Sequence, residues 1–211
     1  MPRSLPLLAA CAFLGLASAA FAQQVENPAY QSWAKYKPGT SITLKQSSTM
    51  AMMPTMVTEV TVTQKLLEVK PESVSVQVDT TTSMMGQNRQ NTTTRVIPAK
   101  VDKGTEYIPQ SQADMKIDVK DMKEGKETID VKGAKVEALT HEFTATMTPT
   151  STAPATNPAA AMMAGGMTSK VKVWNTPDVP GGLVKTDTTT TMGQMGEMKA
   201  TLTLVDYTIV K

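Results

Sequence analysis

Methionine is the only plentiful residue type in this chain that could bind a soft metal ion. The sequence has 16 methionines but only one cysteine and one histidine. Met192, Met195 and Met198 recur every third residue in MGQMGEM, and thioethers are soft donors that suit Cu(I). Methionine is also flexible and apolar, and it fills gaps or forms adaptable surfaces. Three interpretations stay open: simple packing, contact with an apolar ligand or partner, and binding of Cu(I) or Ag(I).

Catalytic patterns are weak in this sequence. His141 lies between Leu139 and Phe143 on the same face of a predicted strand, which indicates a packed or partly buried histidine. The sequence has no G-x-S-x-G, no H-E-x-x-H and no phosphate-binding glycine loop. Acidic residues within 114–130 alternate with lysines, as on a solvated face. We therefore predict a binding protein without a cofactor; a structural envelope protein, or a hydrolase whose acidic residues the sequence does not locate, is the alternative.

The N-terminus has the pattern of an export signal. Arg3 precedes an apolar run over Leu5–Leu16, and small residues follow at Ala20 and Ala22. This order predicts a secretory signal peptide over residues 1–22 and a periplasmic or extracellular protein. Cys11, in LAAC, matches the letters of a lipoprotein signal, but the apolar run continues beyond it. We therefore favour cleavage after Ala22 over lipidation.

The mature chain has few other options for chemistry. Removing 22 of 211 residues leaves 189 residues without cysteine, so disulfides and thiolate zinc sites are excluded. The formal net charge of +2 for the whole chain argues against nucleic acid as a partner. No apolar stretch long enough to span a membrane follows the signal. The expected partners are an apolar small molecule, a lipid or an envelope protein.

The sequence predicts a mainly β chain with one short N-terminal helix. Asn27 can cap a helix that starts at Pro28 and ends at Pro38-Gly39, and Trp33 is expected to pack on the sheet. After that point, alternation such as SVSVQVD indicates strands with one buried face. Predicted strands cover 41–50, 55–70, 73–84, 90–97, 126–132, 135–147, 169–175, 183–192 and 197–210. These predict a single curled, half-barrel-like antiparallel sheet.

Two segments between the predicted strands lack a strand pattern. Residues 109–124 fit both helical and strand spacing, and we favour a loop with a short helix. Residues 148–168 are rich in Pro, Ala, Thr and Gly, which is typical of a flexible insertion. Neither segment has the character of a domain boundary, so residues 23–211 are predicted to form one domain.

The stretch TSKVKVWNTPDVPGGLVKTDTTTT, residues 168–191, is the least generic part of the chain. It resembles secreted bacterial proteins of the lipoprotein-carrier-like group, which includes the carrier and receptor of lipoprotein sorting. The resemblance covers roughly residues 126–210 and implies a strongly curved sheet around an apolar cavity. It gives a structural role to the following residues: Trp174, Pro177, Pro180, Gly181 and Gly182.

The methionines gather at predicted turns. DTTTSMMGQ from Asp79 recurs as DTTTTMGQM from Asp187, so both read as equivalent hairpin tips. In an up-and-down meander alternate turns share one end of the sheet, provided that the middle connection restores the direction. We expect a methionine-lined rim there, and predict that these residues line a ligand: Met50, Met53, Met56, Met84, Met85, Met192, Met195 and Met198. The alternative metal site is Met192, Met195 and Met198.

Overall fold

The computed structural model describes residues 23–84, 87–103, 115–149, 167–192 and 196–210. These residues form one helix and eleven strands. The elements are β1 (Gln24–Glu26), α1 (Pro28–Ala34), β2 (Ser41–Met50), β3 (Met53–Val69), β4 (Ser73–Met84), β5 (Gln87–Pro98), β6 (Lys100–Asp102), β7 (Met115–Val131), β8 (Ala134–Pro149), β9 (Met167–Asn175), β10 (Leu183–Thr191) and β11 (Glu197–Thr208). The prediction of a mainly β chain with a short N-terminal helix is confirmed.

Nine of the strands form one antiparallel sheet. Its order is β5-β4-β3-β2-β11-β10-β9-β8-β7. Of the nine strands, β2 comes first and β11 last along the chain. These two strands pair with each other in the middle of the sheet, with Leu44 opposite Leu204. This pairing joins two meanders, β2 to β5 and β7 to β11, into one sheet whose edge strands within the described residues are β5 and β7.

The prediction of a single sheet is wrong, because β1 and β6 form a second, two-stranded sheet. Val25 pairs with Val101, and the adjoining Asn27 side chain donates a hydrogen bond to the Pro98 carbonyl at 2.9 Å. Strands of three residues are too short to show alternation, which is why the sequence did not indicate them.

The prediction of a loop with a short helix is wrong for residues 115–124, which belong to β7. Residues 109–114 lie outside the described part. The register of β7 against β8 shifts between Lys120 and Lys123, and Asp121 has a φ of 56°. This bulge interrupts the two-residue period, so the spacing of Met115, Val119 and Met122 imitates a helix.

The two faces of the nine-stranded sheet differ in burial. Leu66 and Val74 are fully buried, and they belong to a core that also contains Leu44 and Leu204. Burying one such side chain stabilises the fold by about 1.5–3 kcal/mol. Trp33 of α1 packs into this core and is 1% exposed, which confirms its predicted place. Val74 of β4 and Trp33 of α1 belong to the same core, so α1 covers the face of the sheet on which the buried residues of β4 lie.

Two predicted regions fall largely outside the described residues. The predicted signal peptide, 1–22, lies entirely outside them, and so do residues 150–166 of the predicted insertion. The flanks of that insertion are strand: β8 extends to Pro149 and β9 begins at Met167. Within the described residues, no helix has the length and apolar character needed to cross a membrane.

Candidate functional site

A cavity of about 680 Å³ lies between α1 and one face of the nine-stranded sheet, called here the cavity face. Strands from both ends of the sheet order contribute to it, since Ile97 of β5 and Ile117 of β7 both line it. Volumes of about 300–1,000 Å³ are typical of small-molecule sites. The cavity is therefore large enough to be a binding site.

The wall on β8 and β9 is mostly apolar. Phe143, Ala145 and Val173 form a buried cluster that is separate from the main core, and all three line the cavity. Leu139 and Met147 line it as well, because alternate residues of β8 share one face. The alternation in LTHEFTATM thus indicated one wall of the cavity, although the sequence did not show what that wall encloses.

Helix α1 closes one side of the cavity and is held by side-chain hydrogen bonds. The Asn27 side chain accepts from the Ala29 backbone N–H at 3.0 Å, which caps the helix. The Tyr30 hydroxyl contacts the carbonyl oxygens of Lys70 and Pro71 at 2.9 and 3.0 Å. These contacts tie a seven-residue helix, too short to be stable alone, to the turn that joins β3 and β4.

The turn between β9 and β10 packs directly on α1. The Thr176 N–H donates to the Gly182 carbonyl at 2.8 Å. A methyl group added at Gly181 would lie 2.8 Å from Trp33 Nε1, and one added at Gly182 would lie 2.6 Å from Ser32 Oγ. Only glycine permits this approach, so the Pro/Gly turn positions the helix that bounds the cavity.

Pro177 and Pro180 lie in this same turn, whereas Trp174 lies on the face of the sheet that is opposite the cavity. Pro180 is buried and Pro177 is exposed. Trp174 is 5% exposed, and its position between Val173 and Asn175, which both line the cavity, directs it to the outer face.

On the outer face, charged side chains surround Trp174. Its indole Nε1 donates to Glu127 Oε2 at 2.8 Å. The Nζ atoms of Lys172 and Lys185 lie 5.0 and 4.6 Å from the ring centroid. Lys172 Nζ also contacts Glu127 and Glu142, each at 2.7 Å. Trp174 therefore ties β7, β9 and β10 together and does not line the cavity.

The described ends of the methionine-bearing turns lie at one end of the sheet. In the register, Met198 is opposite Met50, and Met50 is opposite Met53. The Ala51 N–H donates to the Glu197 carbonyl at 2.8 Å, which joins two of these turns. Met198 lines the cavity, whereas Met53 is 46% exposed.

The remaining methionines of the predicted rim are placed less completely. Met192 is partly buried beside the last turn, where its N–H donates to the Gly196 carbonyl at 3.0 Å. Met56 and Met84 belong to β3 and β4. Met85 and Met195 lie outside the described residues, so the grouping of Met192, Met195 and Met198 stays a prediction.

Three basic groups line the cavity, and the sequence indicated only one of them. Arg95 and Lys35 line it together with His141. His141 is 5% exposed, in agreement with its predicted packing, and its Nδ1 lies 3.9 Å from Glu124 Oε1. Burial lowers the pKa of His141, and the Glu124 carboxylate partly opposes that shift. The neutral imidazole is therefore favoured at neutral pH.

Arg95 was missed although a signal was present. It stands two residues before Ile97, which is 5% exposed, so both side chains share the buried face of β5. Burial lowers the pKa of the Arg95 guanidinium, which nevertheless stays charged. Within the described residues, no group of three or more His, Cys, Asp or Glu side chains is arranged to hold a metal ion.

Comparisons with known proteins give distant likenesses. No family model and no curated protein matches the chain. A "putative lipoprotein" from Parabacteroides distasonis ATCC 8503 is 10% identical, with a TM-score of 0.45, over 82% of this chain and 96% of that chain. A "putative outer membrane lipoprotein-sorting protein domain" from Vibrio parahaemolyticus is 11% identical, with a TM-score of 0.28, over 82% and 85%. Likenesses this distant identify neither a ligand nor an activity.

Proposed function

We propose that this chain is an exported, non-enzymatic protein that binds an apolar ligand or lipid in the cavity beneath α1. The observation that carries the proposal is the 680 Å³ cavity whose walls include the Phe143 cluster on β8 and β9. The contribution of both edge strands to one cavity supports a half-barrel-like curl of the sheet. Export rests on the signal-peptide pattern of residues 1–22.

The chemistry of the lining favours a long hydrocarbon over a polar metabolite. Burying one CH₂ group contributes about 0.8 kcal/mol, which corresponds to about a fourfold change in affinity. Association itself costs about 4–15 kcal/mol, so a ligand needs several buried methylenes to bind. Affinity should therefore rise with chain length until the cavity is full.

Displacement of a fluorescent fatty acid by a series of unlabelled fatty acids tests the proposal. Ala200 lines the cavity from β11, so Ala200→Phe should reduce its volume and weaken the longest ligands most. Val205 lies on the same strand and is 43% exposed, which makes Val205→Phe the matched control. Equal affinities for all chain lengths, or equal effects of the two variants, would contradict binding inside the cavity.

The methionine rim fits this proposal as an adaptable mouth. Met198 lines the cavity and adjoins Met50 in the register, so a ligand leaving the cavity at that end would pass over thioethers. Methionine surfaces of this kind adapt to differently shaped apolar partners. An envelope protein that exchanges the ligand could contact the same rim.

Catalysis is the less favoured use of the cavity. His141 is the cavity-lining residue whose ordinary pKa suits proton transfer near neutral pH. Its burial lowers that pKa and so favours the uncharged imidazole. Hydrolysis of model esters by wild type and His141→Ala tests this part of the proposal. An activity that the substitution abolishes while the circular dichroism spectrum is unchanged would reverse it.

Binding of Cu(I) or Ag(I) is a second candidate, favoured by the cross-strand placement of Met50, Met53 and Met198. Replacing Met192, Met195 and Met198 by leucine nearly preserves volume and hydrophobicity but removes the sulfur donors. A competitive Cu(I) titration should show no tight site in either protein if apolar contact is their role. Tight binding that the leucine variant loses would favour the metal.

A further inference from the structure

Arg95 is a cation set into an apolar part of the cavity. It lies on β5 opposite Val76, which is 1% exposed, and shares its face with Ile97, which is 5% exposed. Its side chain is partly buried and lines the cavity. A charged group in such surroundings loses hydration, which destabilises it unless an opposite charge replaces the water.

No protein carboxylate supplies that charge from the described part of the chain. The described residues that line the cavity include Arg95, Lys35 and His141 but no aspartate or glutamate. Arg95 also has no hydrogen bond or ion pair to another described residue. This differs from the outer face, where Lys172, for example, is paired with Glu127 and Glu142.

A guanidinium group suits one kind of counter-group especially well. Its planar fork of N–H donors matches a carboxylate or a phosphate in two parallel hydrogen bonds. Lys35, at the end of α1, adds a second positive charge to the same cavity. The cavity thus combines a long apolar wall with a positively charged side, which is the complement of an anionic amphiphile.

We infer that Arg95 is the anion-binding residue of this cavity, and that its ligand is an amphiphile with a carboxylate or phosphate head and a hydrocarbon tail. The inference rests on the proposed function and specifies its ligand class. The head contacts Arg95, and the tail occupies the apolar space that Phe143, Val171 and Leu202 help to line.

Binding of three probes with the same tail tests the inference. The probes are hexadecanoate, monohexadecyl phosphate and hexadecanol. The two anions are titrated below their critical micelle concentrations and hexadecanol below its solubility limit. Trp33 lines the cavity and its fluorescence reports binding, with Trp174→Phe as the background because these are the chain's two tryptophans. The wild type should prefer at least one anionic probe over hexadecanol by about tenfold or more, because only an anionic head accepts charge-assisted hydrogen bonds from Arg95.

Two arginines on one strand provide the matched variants. Arg95→Gln should weaken binding of the preferred anion about tenfold or more and leave hexadecanol binding unchanged. Arg89 lies on β5 and is exposed, and Arg89→Gln should change neither. Arg95→Lys keeps the charge without the fork and should fall between wild type and Arg95→Gln, so the comparison survives poor folding of the glutamine variant.

The outcomes separate this inference from the proposed function. Hexadecanol binding as tight as the two anions, or an equal effect of Arg95→Gln on all probes, overturns the anion site but leaves an apolar binding site intact. Failure of all three probes to bind contradicts both. Preference for hexadecanoate over the phosphate, or the reverse, identifies the head group.

Discussion

Replacement of Gly181 by alanine should destabilise the fold at the contact that bounds the cavity. A methyl group at Gly181 would lie 2.8 Å from Trp33 Nε1, 2.9 Å from Cε2 and 3.1 Å from Cζ2. Trp33 is 1% exposed and packs into the main core. The substitution therefore forces either the turn or the indole ring out of position.

Two terms contribute to the expected loss. The φ of Gly181 is +73°, and a left-handed backbone conformation costs a residue with a side chain about 1–2 kcal/mol. Overpacking a buried site costs about 1–3 kcal/mol more. Gly133 has a φ of +82° but no atom within 4 Å of an added methyl group, so Gly133→Ala reports the first term alone.

Urea denaturation of both variants, followed by circular dichroism, measures the difference. Gly181→Ala should lower the free energy of unfolding by about 1–3 kcal/mol more than Gly133→Ala. The emission of Trp33 should also shift to longer wavelength in Gly181→Ala only, because the ring becomes more exposed. Equal destabilisation by the two substitutions, with unchanged emission, would refute the close contact between turn and helix.

Three further predictions concern acid stability, the outer face and the N-terminus. Because the native pKa of His141 is lowered, the unfolded state binds more protons below about pH 6.5; thermal stability should therefore fall less on acidification in His141→Gln than in wild type. Glu127→Gln should lower the free energy of unfolding by less than about 1 kcal/mol at neutral pH, because the ion pair between Glu127 and Lys172 is partly exposed. The lowered pKa of Glu127 means that this difference should shrink as the pH falls through that pKa. Mass spectrometry of the exported protein should give an N-terminus at Gln23, whereas a diacylated Cys11 would contradict the signal-peptide prediction.

The strands were predictable wherever the two-residue period is uninterrupted. Val74 and Val76 are buried, as the alternation of SVSVQVD indicated. Asn27 and Pro28 begin α1 in the predicted way. The Pro/Gly sequence before Leu183 marked the β9–β10 turn, although its contact with Trp33 joins residues distant in sequence and left no local pattern.

Prediction failed where tertiary pairing overrides local periodicity. The bulge at Asp121 gave β7 a helix-like spacing, and the three-residue strand at Val25 is stabilised by pairing with Val101.

The cavity itself depends on contacts between distant parts of the chain. Arg95 and Phe143 come to line one space because the sheet brings β5 and β8 around α1. The 16 methionines are conspicuous in the sequence, whereas a single arginine on an apolar strand face is not. Alternation could have revealed the buried face of Arg95, but not the cavity that it enters.

A crystal structure with a fatty acid that carries bromine at the end of its tail tests the central claim most directly. Anomalous scattering locates the bromine without assumptions about the rest of the ligand. We expect the bromine inside the cavity, near the Phe143 cluster, with the hydrocarbon beneath Trp33. Bromine bound only on the outer face, or no bound bromine at saturating ligand, would contradict the proposal that the cavity is the binding site.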